Sequence, residues 1–385
     1  MPAQARKCIL PAGGDPVWVH GIQRCVRRAF LCGDDARGVN RDYRKDWIEK
    51  RLRFLGAVFA CEISAYAVMS NHVHVVLRMR PDWAALWDDA AVVRAWLRLY
   101  PGRFALRETD GTPCEPSPDD VAAKLGDAAW IAERRERLGS LSWLMRCFAE
   151  PIARRANHEE DCTGRFWEGR FTSVPLLDYK ALIACMVYVD LNPIRAKMAD
   201  SPENSTHTGA RTRIEARQGY VAAQRLEKSG NSKKAGESAT QCGLKAKPKH
   251  AEDGLWLAPI KTCMVRTAAR GVDRPLAGGS RYIQKGGFMP ALSSDDYLQL
   301  IDATGRLFKT GKRGAIPQEL APILTRLDVD LDAWLATMQG WREFLGRVVG
   351  EAASRAAAQT AHGVKWLQNR CALFGKRKAS AQEVA

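Results

Sequence analysis

The spacing of apolar and polar positions divides the chain into elements. Residues 16–22 (PVWVHGI) predict a strand, followed by a basic stretch, Arg24-Cys25-Val26-Arg27-Arg28-Ala29-Phe30. In residues 43–59, Trp47, Ile48, Leu52, Leu55 and Phe59 recur at three- and four-residue steps, the period of a helix with one buried face. Residues 63–79 (ISAYAVMSNHVHVVLRM) predict two strands joined through Ser70-Asn71. A tryptophan-bearing, helix-rich insertion spans about 82–136, with no role legible in it. Residues 141–158 predict a helix kinked or restarted at Pro151. Asp178 is a suitable N-cap for a helix running to about Leu191, and Pro193 should end it near Asn192.

Beyond Asp200 the pattern changes. Residues 201–254 are rich in Ser, Gly, Lys and Thr with few large apolar side chains, which predicts a disordered basic linker. Helical periodicity returns over about 255–374, marked by Tyr297, Leu298, Leu300 and Ile301, by Leu320, Ile323, Leu324 and Leu327, and by Trp334, Leu335, Met338 and Trp341. The expected organisation is therefore residues 1–200 as one domain, 201–254 as linker and 255–385 as a helical domain. Removing the last is expected to spare the chemistry of the first.

Composition narrows the class. Among 385 residues, Lys and Arg number 59 against 43 Asp and Glu, a formal charge of +16. Such an excess favours a polyanionic partner, because cations that neutralise phosphates release condensed counterions. A basic surface indifferent to nucleic acid is the alternative. The eleven cysteines include no C-x-x-C pair, and Cys61, Cys147 and Cys185 lie in apolar runs, as buried reduced thiols would. The N-terminus lacks the apolar stretch of a signal peptide, and no run approaches the length of a membrane span. A soluble, cytoplasmic protein with no membrane partner is expected.

Two groups of residues carry candidate chemistry. On a strand, His72 and His74 face the same way and Val73 and Val75 the other, so the imidazoles could share a divalent ion if a third ligand joined them. Two histidines in a polar cleft would look the same in sequence. Tyr188 and Asn192 are four residues apart, one turn along one helical face. A half-buried tyrosine and an asparagine at a helix stop would also look the same.

The runs AYAVMSNHVHVVL (residues 65–77), GRFWEGRF (164–171) and YVDLNPIRA (188–196), in this order, resemble the single-tyrosine HUH transposases, in particular the branch of REP-associated tyrosine transposases. Val73 suits the hydrophobic residue that branch often carries between its histidines. The resemblance covers about the first 200 residues. RCVRRAFLCG and TGRLFKTGKRGAIP extend it to a longer bacterial subgroup with a C-terminal extension.

The resemblance implies an α+β fold, a ferredoxin-like antiparallel sheet backed by helices, followed here by the linker and an all-α C-terminal region. It implies that His72 and His74 bind the metal, Mg²⁺ or Mn²⁺, and that Tyr188 is the nucleophile. Asn192 would be the third metal ligand, at a position where other members have Gln. The implied activity is cleavage and rejoining of single-stranded or hairpin DNA through a 5′-phosphotyrosine. Dimeric relatives leave open a homodimer with Tyr188 acting in cis or in trans.

The remaining candidates are secondary. Tyr179 lies on another face of the tyrosine helix, and Tyr66 belongs to a strand. Arg24, Arg27, Arg28, Arg165 and Arg170 are candidate phosphate contacts, with a solvated basic face as the alternative. Trp167 is a candidate stacking platform, with Phe166 and Phe171 beside it; the alternative is a turn anchored in the core. His20 is expected to be a satisfied core histidine. His158, His207, His250 and His362 have no partner at ligand spacing. A catalytically idle, transposase-derived DNA- or RNA-binding protein is the competing class. A rolling-circle nuclease or relaxase is a third, in which the Asn-Pro-Ile-Arg-Ala run is not expected.

Overall fold

The computed structural model describes residues 17–26, 31–33, 38–101, 115–228, 256–260, 263–266, 282–285, 292–310, 324–325, 328–344, 348–362 and 373. The N-terminal elements are β1 (Trp18–Arg24), α1 (Arg44–Val58), β2 (Cys61–Val68) and β3 (His72–Met79). The insertion follows as α2 (Pro81–Leu86), α3 (Asp89–Leu99), α4 (Pro118–Leu125) and α5 (Ala128–Leu138). Then come α6 (Leu141–Glu159), β4 (Thr172–Leu176), α7 (Tyr179–Asp190), α8 (Asn192–Arg195) and α9 (Gly209–Lys228).

The sheet order is β2-β3-β1-β4 with every neighbouring pair antiparallel. With α1 between β1 and β2 and α6 before β4, this is the split βαβ, ferredoxin-like arrangement. Side chains alternate across the sheet. Val19, Val73, Val75 and Leu77 join a core with α1, α3, α5 and α6, whereas Trp18, Val76, Val174 and Leu176 join a second core on the other face with α7. Ile63 and Tyr66 are three apart yet share the first core, because the register shifts by one residue between Ile63 and Ala65 and leaves Ser64 as a bulge.

Two helices show how local sequence is accommodated. Asp178 accepts from the Ala181 amide at 2.8 Å and so caps α7 as expected. The helix α6 runs through Pro151 as one element, so of the kink or restart expected there the restart does not occur. Proline has no N–H to offer the carbonyl four residues back, that of Cys147. The Arg51 guanidinium takes its place, donating to the Cys147 oxygen from Nε at 2.9 Å and Nη2 at 2.6 Å.

Residues after Asp200 depart from expectation. The start of the supposed linker is α9, which buries Ala210, Arg213 and Ile214. Arg213 donates to the carbonyls of Ser64 at 3.0 Å and Ala258 at 2.8 Å. Gly209 at its start sits so close to β2 that a Cβ there would meet Ala65 Cα at 3.1 Å. The rest of the expected linker, residues 229–254, lies outside the described residues, as do Leu320, Ile323 and Leu327.

The C-terminal region is helical but not all-α. It contains α10 (Ser294–Thr310), α11 (Leu331–Gln339), a 3₁₀ turn (Trp341–Phe344) and α12 (Ala352–His362), together with a two-stranded ribbon, β5 (Cys263–Arg266) and β6 (Tyr282–Lys285). Its described residues form no core separate from residues 1–200. Leu300, Ile301, Trp334, Met338 and Trp341 belong to the core that holds α7. Asp190, wholly buried at the end of α7, accepts from Tyr297 Oη at 2.5 Å and from the Ala210 amide at 3.0 Å, joining α7, α9 and α10. Val349 continues the sheet beside β4: its amide donates to Pro175 O at 2.9 Å, and the Leu177 amide donates to its oxygen at 2.8 Å. Among the described residues no helix is long and apolar enough to cross a membrane.

Candidate active site

Strand pairing and alternation assemble the site on the face of the sheet that α7 covers. His72 and His74 share that face, and their Nε2 atoms are 2.9 Å apart. His20, on the neighbouring β1, also points there, and its Nε2 is 2.9 Å from His74 Nδ1. His72 Nδ1 lies 2.5 Å from Asn71 Oδ1. The four side chains form one hydrogen-bonded file.

Proton positions along the file follow from Asn71. A carboxamide oxygen only accepts, so His72 carries its proton on Nδ1 and accepts at Nε2. His74 then donates from Nε2 and accepts at Nδ1, and His20 donates from Nε2. The file ends on His20 Nδ1, which is buried and has no hydrogen-bond partner among the described residues. All three rings are neutral near pH 7. Burial, then the charge of His72, pushes His20 down to about 3. Burial, then Arg24 and Arg342, pushes His72 down to about 4. Burial, then His20, His72, Arg24 and Arg342, holds His74 well below the usual histidine range.

Tyr188 on α7 is 3% exposed and stands edge-on to this file. Its ring centroid is 6.0 Å from that of His74 and 6.3 Å from that of His20. The Arg195 guanidinium lies 5.1 Å from the ring centroid, and the Trp341 indole lies against the ring at 5.6 Å. Asn192 opens α8 one turn after Tyr188. It is buried, and its Nδ2 has no hydrogen-bond partner among the described residues. Those residues contain no group of three or more His, Cys, Asp or Glu side chains that could hold a metal ion.

The candidate DNA contacts separate into different environments. Arg165 and Arg170 are exposed, and Arg24 is half-exposed with Glu168 at 3.9 Å. Arg27 and Arg28 lie outside the described residues. Trp167 is not presented for stacking: it is buried, its indole N–H donates to Ala149 O at 2.8 Å, and Phe166 is packed edge-on against it. Phe171 is buried as well, so the aromatics of GRFWEGRF anchor its turn.

Arg195, Trp341 and Arg342 were not singled out in the sequence, and His20, read there as a satisfied core histidine, joins the file with its Nδ1 unpartnered. Strand alternation placed His20 on the same face as its even-numbered neighbours, and Arg195 lies seven residues after Tyr188, two helical turns on. Both signals were available. Trp341 and Arg342 reach the site only through tertiary packing.

No protein-family model matches the chain, and no curated protein matches it. One solved structure is similar. It is that of a REP-associated tyrosine transposase bound to a REP hairpin, at 12% identity over 54% of this chain and 82% of that one, with a TM-score of 0.28. The likeness is distant.

Proposed function

We propose that the chain cleaves and rejoins single-stranded DNA with Tyr188 as nucleophile and a divalent metal held at His72 and His74. The observation that carries this reading is the placement of Tyr188 against a neutral histidine file, with the Arg195 guanidinium over its ring and Arg24 at the strand position paired with His72. That environment suits a phosphodiester, whose charge it offsets.

The metal donors fit. Neighbouring ligands at ~2.1 Å from an octahedral ion are separated by about 3 Å, close to the 2.9 Å between the two Nε2 atoms. Both lone pairs become available together if His74 and His20 each move their proton to Nδ1, and the unpartnered His20 Nδ1 has room for one. Asn192, one turn after Tyr188, is the proposed third ligand through its carboxamide oxygen, which would leave the unpartnered Nδ2 to donate to a phosphate oxygen. Two imidazoles and an amide, with no carboxylate, suit Mn²⁺ better than Mg²⁺. The bound ion would polarise the scissile phosphate.

In the reaction, Tyr188 Oη bonds to phosphorus as the P–O3′ bond breaks. The phenolic proton is balanced by the one gained by the departing 3′ oxygen, leaving a 5′-phosphotyrosine and a free 3′-OH. Attack by a 3′-OH reverses the step, so rejoining needs no external energy. Tyr188 acts in cis, a reading supported by its contact with histidines of its own chain.

Labelled single-stranded hairpin DNA with Mn²⁺ tests the reading. Wild-type protein should form a denaturant-stable protein–DNA adduct, and Tyr188→Phe should form none. An adduct that persists in the variant overturns it. The second reading, a catalytically idle DNA- or RNA-binding protein, is favoured by the near-complete burial of Tyr188 beneath Trp341. Hairpin binding without any adduct from wild-type protein would select it.

A further inference from the structure

The C-terminal region does more than complete the core; it brings an arginine to the site. Trp341 lies on the Tyr188 ring, and the next residue in the 3₁₀ turn is Arg342. Arg195 ties the same segment down from the other side. Its Nη1 donates to Met338 O at 2.7 Å while its guanidinium sits over Tyr188. Arg342 is exposed and makes no hydrogen bond or ion pair among the described residues. Arg24, at the end of β1, is paired with His72 across the sheet and has Glu168 at 3.9 Å.

Three arginines are therefore carried to the surroundings of Tyr188 and His72 by β1, α8 and the 3₁₀ turn. Like charges held together raise the energy of the empty site, and a bound anion removes that cost. A guanidinium offers a planar fork of donors matched to phosphate oxygens. We infer that Arg342 is a phosphate contact of the candidate site, brought there by the packing of Trp341 on Tyr188. The inference rests on the proposed reading that nucleic acid binds at this site. It adds that the binding surface is complete only with the C-terminal region in place.

The test uses the full chain and a hairpin oligonucleotide with single-stranded flanks. Affinity is measured by fluorescence anisotropy over a salt series for wild type, Arg342→Ala, Arg342→Gln and Arg342→Lys. One lost phosphate contact should weaken binding roughly tenfold at low salt and make the slope of log K against log salt shallower by about 0.7. Arg342→Lys should keep the slope, because it keeps the charge. A residue with a merely structural role would not change the slope. Arg342→Gln retains a polar stem and decides the matter if the alanine variant melts early. Unchanged affinity and slope in both neutral variants overturn the inference, even where wild type forms the Tyr188 adduct. A reduced slope without any wild-type adduct would leave the phosphate contact standing and the cleavage reading refuted.

Discussion

Trp341 packs against Tyr188 with the two rings 30° from coplanar, so a tyrosine from the N-terminal part of the chain is covered by an indole from the C-terminal part. Trp341 is itself almost wholly buried. Trp341→Ala should destabilise the protein by about 3–5 kcal/mol, the usual cost of emptying a tryptophan site. Thermal denaturation measures this, and a loss below about 1 kcal/mol would mean that the C-terminal region is only loosely docked. A chain ending at residue 200 should expose the apolar face of α7 and lose cooperative unfolding altogether.

His20 should set the proton positions of His74 rather than bind metal. Groups that orient a metal ligand typically change affinity 10–100-fold when removed. Mn²⁺ titration of His20→Phe, followed by calorimetry, is expected to show a loss of that size with the fold retained. Equal affinity in the variant would remove His20 from the site.

Arg51 and Pro151 should be energetically coupled through one carbonyl. Arg51→Met keeps the stem but leaves Cys147 O without its donors, at a cost of about 1–3 kcal/mol. Adding Pro151→Ala restores a helical N–H to that oxygen, so the same arginine substitution should cost less in that background. A double-mutant cycle in chemical denaturant checks this; purely additive effects would contradict it.

The cysteines should differ sharply in reactivity. Burial pushes the Cys32 thiol up to about 12, and Cys25, Cys61, Cys147 and Cys185 are buried too, whereas Cys162 is partly exposed. Cys32 would then be thiolate in only about one molecule in ten thousand at pH 8. Iodoacetamide mapping of the native protein should find Cys162 alkylated first of these six. Early labelling of Cys32 would show that its segment opens readily.

The sheet and its histidines were legible because strand alternation is a local signal: each residue's face follows from that of its neighbour. The cap at Asp178 was legible for the same reason. The helix α9 was not, since it buries only a thin stripe, including Ala210, Arg213 and Ile214, within a polar sequence. Its hold on β2 comes from Arg213 and the close approach at Gly209, which no hydrophobic period reveals. The place of Trp341 was hidden differently. Its periodicity announced a helical segment, but nothing local said that the surface it would cover was the Tyr188 ring. The same gap made the C-terminal region look like a separable domain.

The hydrogen bond from the Glu351 amide to Asp178, at 2.7 Å, closes a loop of chain 173 residues long. During synthesis the α7 cap therefore waits for its second partner. At about 5–20 residues per second that interval lasts roughly 10–35 s. For that time the nascent chain carries Tyr188 and its histidines without Trp341 or Arg342. Ribosome-stalled chains ending before residue 341 are expected to show α7 open to protease, and chains extended well past residue 362 to show it protected. The timing of synthesis would thus govern when the candidate site becomes complete.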